Sequence, residues 1–215
     1  AQFGNNVIDA TKSWGKEIVN KEDLAGMPAS PLSMAAAAAG AEDPEAGPWK
    51  LSLEDTLVVE VLKHAANRSL REETYKAYVA RASDTNEDVF SKILELKQEQ
   101  AELLGFRNYA DLSLESKMAE NVQAVVGLLE KMRKVAYPSA KRELEALEIF
   151  AKNVQKDDGF SLKLWDVSYW SERQREELFS YSEEELRPYF SLDSVLQGMF
   201  SLTKSMFGVE IVETN

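Results

Sequence analysis

The chain has no cysteine and a single histidine, His64. The first absence excludes disulfides, thiolate catalysis and iron–sulfur ligation, and it fits an intracellular setting. The second leaves any imidazole chemistry to one side chain. Basic residues are also in deficit, 25 against 37 acidic, for a net charge of −12. That field repels phosphates and anionic lipid, and no five-residue basic run interrupts it, so nucleic acid is not an expected partner and membrane-surface binding is disfavoured. No apolar stretch approaches the roughly 18–20 residues that span a bilayer. The alanine row at 35–39 is too short and too weakly hydrophobic for that. The N-terminus lacks a basic region followed by an apolar core, so no signal peptide is visible. No period of about 20–50 residues repeats, which leaves a helical solenoid without support.

An apolar fraction of 44% is present instead, enough for a real core. Its periodicity is helical almost throughout. Val7, Ile8, Trp14 and Ile18 suggest a first amphipathic helix. Ser30-Pro31 reads as an N-cap followed by proline at the first helical position, opening a helix through the alanines to Gly40. Residues 41–48 mix Pro, Gly and acids and read as a loop. Residues 49–53 alternate, with Trp49, Leu51 and Leu53 on one side, which is a short strand signal. The other strand signal is 209–212. Leu57, Val58, Val61, Leu62 and Ala65 form the next stripe, and Ser69 with Glu72 fits a capping box for the helix carrying Tyr75, Tyr78 and Val79. Further stripes run from Val89 to Leu104, stopping at Gly105, and from Val122 to Val135, ending near Pro138. Another runs from Leu144 to Val154, stopping at Asp157-Asp158-Gly159. Ser182 and Glu185 make a second possible capping box. A last helix, about 193–207, is closed by Gly208. Its Val195, Leu196, Met199, Phe200, Leu202, Met206 and Phe207 occupy more than one face, so it calls for cover on several sides. The expected fold is mainly α, a multi-helix array with short strands at about 49–53 and 209–212, organised as one helical domain over 1–215.

Motifs for chemistry are scarce. A zinc-peptidase helix needs Glu after its first His and a second His four residues on, so that both imidazoles share a face and the Glu activates water. His64 is followed by Ala65-Ala66-Asn67-Arg68 and has neither partner. A lone helical His is more often packed or surface than a ligand. No nucleophile elbow, P-loop or Gly-x-Gly-x-x-Gly cradle occurs. The carboxylate runs Glu183-Glu184-Glu185 and Glu143, Glu145, Glu148 sit beside Lys and Arg and read as solvated faces. Asp157-Asp158-Gly159 lacks the alternating ligands of an EF-hand. Trp165, Tyr169 and Trp170, followed by Tyr189 and Phe190, suit a core more than a ligand cleft. No catalytic or metal-binding residue is therefore assigned.

A series of segments in order carries a family resemblance. They are NVIDATK at 6–12, GMPAS at 26–30, GPW at 47–49, HAANRSLRE at 64–72, YKAYVARAS at 75–83 and LLGFRNYA at 103–110. KMA at 117–119, WD at 165–166, YWSER at 169–173, EELRPYFSL at 184–192 and VLQGMFSLTKSMFG at 195–208 follow. This set resembles the metallo-oligopeptidases, the family of thimet oligopeptidase and oligopeptidase A, and is most similar to the plant and bacterial oligopeptidase A branch. The resemblance implies a deep-channelled, mostly helical clamshell that cleaves short peptides with zinc. It also implies that the zinc ligands, on His-Glu-x-x-His and a later Glu, would follow Asn215. The segments present would then be helical wall ahead of the zinc helix, with no cofactor of their own. Two stretches depart from the family pattern: Leu57-Val58-Val59-Glu60 stands where a proline-containing stretch is usual, and Tyr137-Pro138 interrupts a helix.

Two functions are compatible with these residues. The chain is a truncated or fragmentary oligopeptidase, non-catalytic alone and completed by the remainder of the peptidase domain, or a repurposed helical accessory subunit that binds a protein partner. In both, the 195–207 helix is the expected partner-facing surface.

Overall fold

The structure, a computed structural model, describes residues 1–181 and 183–212. The chain divides into two compact units, Ala1–Glu172 and Arg173–Asn215. The first contains α1 (Gln2–Ser13), β1 (Gly15–Ile18), a 3-10 turn at Lys21–Leu24, α2 (Ala29–Ala39), β2 (Trp49–Ser52) and α3 (Asp55–His64). It continues with α4 (Arg68–Val79), α5 (Ser83–Leu103), α6 (Tyr109–Leu114), α7 (Val122–Gln155) and the beginning of α8 (Leu164–Phe179). The second contains the end of α8, α9 (Glu183–Leu186), a 3-10 turn at Arg187–Tyr189 and α10 (Leu192–Phe207). The fold is mainly α.

The first helix stops at Ser13, and Trp14 turns the backbone extended. Ile18, which helical spacing would place on that helix, instead lies in β1 opposite Trp49 of β2 in an antiparallel pair. Its β-branched side chain fits either spacing, and the cross-strand neighbour decides. The second strand expected, 209–212, is not one: among the described residues it has no partner strand, and an extended segment without a ladder is only extended.

α2 starts at Ala29, with Pro28 in the cap position, so Ser30 is inside the helix rather than capping it. Pro31 is tolerated because the first helical bond is made by Leu32 N–H to the Pro28 carbonyl at 3.3 Å, one residue later. Gly40 ends this helix in the left-handed region, φ 75°. The small side chains of Ala35 and Ala36 are buried with Ile18, Leu24, Trp49, Leu51, Leu57, Val61 and Leu70, and form the core of the α2–β2–α3–α4 region. Each Leu or Val in such a site contributes about 1.5–3 kcal/mol by leaving water.

The cap of α4 is Asn67, whose side-chain oxygen accepts the N–H groups of Ser69 at 3.1 Å and Leu70 at 3.2 Å. Ser69 is already helical and Glu72 pairs with Lys76 one turn on, so the expected box does not form there. The second expected box lies partly outside the described residues, at Ser182. α7 runs for 34 residues through Pro138, where the sequence signals a stop. Proline removes one helical N–H, but the apolar stripe resumes beyond it and Leu147, Ala151, Phe160 and Trp170 form a second core that holds the continuation. Lys156, φ 56°, ends the helix next to the Asp-Asp-Gly stop.

Candidate functional site: a buried arginine–aspartate clamp and exposed helix faces

The Asn67 cap places Arg68 and Arg71 three residues apart in the first turns of α4, on one face. Opposite them is Asp166, in the first turn of α8 and without solvent exposure. Arg68 Nε donates to both Asp166 oxygens at 3.0 and 3.1 Å, and its Nη2 to Oδ2 at 2.7 Å. Arg71 Nη2 donates to Oδ1 at 2.9 Å, and the Lys163 backbone N–H to Oδ2 at 3.1 Å. Arg71 also reaches back to the end of α3, donating to the Ala65 carbonyl at 2.7 Å and the Ala66 carbonyl at 3.2 Å. The guanidinium planes rest on aromatic rings, Arg68 on Phe160 at 4.7 Å and Arg71 on Tyr169 at 4.1 Å. Nearby, Lys63 and the buried Glu172 are 3.4 Å apart.

Burial pushes the Asp166 carboxyl up, but hydrogen bonds from Arg68, Arg71 and the Lys163 N–H together hold it below the usual carboxylate range. A carboxylate so engaged neither gives nor takes a proton near neutrality. The clamp joins the α3–α4 corner to α8 and is structural. Both halves lie in segments of the family motif, HAANRSLRE and WD, but their pairing is invisible along the chain. The available signal is two arginines at i, i+3 directly behind a capping Asn.

His64 ends α3, buried, with Nε2 3.6 Å from Glu60 Oε2. A zinc centre needs three or more protein ligands. Among the described residues no group of three His, Cys, Asp or Glu is placed to hold a metal ion. Glu143 and Glu145 are exposed, while Glu148 bonds the Leu162 N–H at 3.1 Å and pairs with Lys152, which keep it below its ordinary value. Trp170 is core, with Phe150, Phe160 and Tyr169 edge-on at 6.2, 6.1 and 5.2 Å. Tyr189 and Phe190 are exposed in the second unit.

The described surface also carries apolar faces. Along α10, Val195, Leu196, Met199, Leu202, Met206 and Phe207 are exposed and Phe200 is half-buried; no residue of that helix is buried. On α7, Val126, Leu129, Met132 and Val135 are exposed. Between α7 and residues 162–167 lies an open groove of about 680 Å³, with Leu144, Ile149 and Leu164 along it. No described helix is long and apolar enough to cross a membrane.

Comparison with known proteins accounts for the motif order. The model of peptidase family M3 matches residues 61–215. The chain is similar over 98% of its length to a probable cytosolic oligopeptidase A of Arabidopsis thaliana, at 43% identity, covering 31% of that protein. It is 44% identical to an organellar oligopeptidase A, chloroplastic/mitochondrial, of the same plant, covering 27% of it. Oligopeptidase A of Escherichia coli (strain K12) is 42% identical over 99% of the chain and 32% of that enzyme. The chain thus spans about a third of the length of these relatives. With the family model matching most of its residues, the chain belongs to peptidase family M3.

Proposed function

We propose that this chain is the helical-wall portion of an oligopeptidase A-like zinc metallo-oligopeptidase and is not catalytic by itself. One observation carries the reading: likeness to oligopeptidase A runs along 98–99% of the chain yet takes in only 27–32% of each relative. In a family of zinc peptidases, the metal and the chemistry on short peptides then belong to the remaining two-thirds. The apolar side of α10, from Val195 and Leu196 through Met199, Phe200 and Leu202 to Met206 and Phe207, faces that remainder. The names of the relatives, cytosolic and organellar, support an intracellular home in cytosol or organelle interior.

The intact mass of the native protein tests this. A mass well above that of these 215 residues, with His-Glu-x-x-His in the added sequence, is the expected result. A native mass equal to this chain, with a co-purifying protein, would overturn it in favour of an accessory subunit. Pure protein of this length is expected to bind no stoichiometric zinc and to cleave no peptide. Chelator-sensitive cleavage by it would refute the inactive reading.

A further inference from the structure

We draw no further inference here: the strongest candidate, the open groove between α7 and residues 162–167 with Leu144, Ile149 and Leu164 along it, is edged by Lys141 and Lys163 as well as by Glu145 and Glu148, and nothing in the structure shows what covers it.

Discussion

Arg71 and Asp166, 95 residues apart in sequence, meet at 2.9 Å where both are almost wholly removed from solvent. Arg68 makes the same carboxylate bidentate. Removing one member of such a group leaves the other buried and charged, which costs about 3–5 kcal/mol. Asp166→Ala is therefore expected to lower the unfolding free energy of this chain by that amount in urea denaturation. Glu72→Ala, which breaks an exposed i, i+4 pair with Lys76, is expected to change it by less than about 0.5 kcal/mol. Equal effects would mean that the clamp contributes no more than a surface pair.

The same carboxyl sets a pH dependence. Its folded-state value lies below that of a free aspartate, held there by the hydrogen bonds from Arg68, Arg71 and the Lys163 N–H. A depressed acid contributes stability that is fully present above its unfolded value and is lost as pH falls through the folded one. The gap in stability between wild type and Asp166→Asn is expected to be constant at neutral pH and to narrow as pH is lowered below the usual carboxylate range. Urea midpoints measured from pH 7 down to the acid limit of the fold check this; a gap that widens on acidification would contradict it.

Gly26 and Gly40 both have positive φ, 88° and 75°, but differ in surroundings. A Cβ at Gly40 meets open space, whereas one at Gly26 would lie 2.4 Å from the His64 carbonyl oxygen. Gly40→Ala is expected to cost about 1–2 kcal/mol, the price of the left-handed backbone alone. Gly26→Ala is expected to cost more, because the α3 C-terminus must also move. Thermal unfolding of the two variants ranks them.

Pro138 sits inside α7. An interior proline costs a helix about 3 kcal/mol relative to alanine. Pro138→Ala is expected to slow amide exchange across residues 126–144 by tenfold or more. Exchange in the α2–β2 core, which does not depend on this helix, is expected to stay the same. Unchanged exchange in α7 would show that neighbouring contacts already compensate for the proline.

The helical class, the Gly40, Gly105 and Gly208 endings and the 49–52 strand are legible in sequence because they follow from local spacing and backbone preference. The errors share a cause. Ile18 satisfies two periodicities, and only Trp49 across the ladder chooses between them. Residues 209–212 alternate like a strand but have no described neighbour to pair with. Pro138 signals a stop, yet the core around Leu147 and Trp170 carries the helix past it. The Arg68–Arg71–Asp166 clamp was out of reach because Asp166 looks like any first-turn acid until α8 is brought against α4. Partner-dependent features of this kind are written in two places at once, and one place alone does not disclose them.

α7 is also a lever. Its first fully buried residue is Leu147, and Val122 stands 25 positions earlier, about 37 Å along the axis at 1.5 Å per residue. A tilt of about 5° at that fulcrum sweeps the far end through about 3 Å. That is enough to move a side chain from contact to clearance, so small repacking around Phe160 and Trp170 would be amplified at α6 and the start of α7.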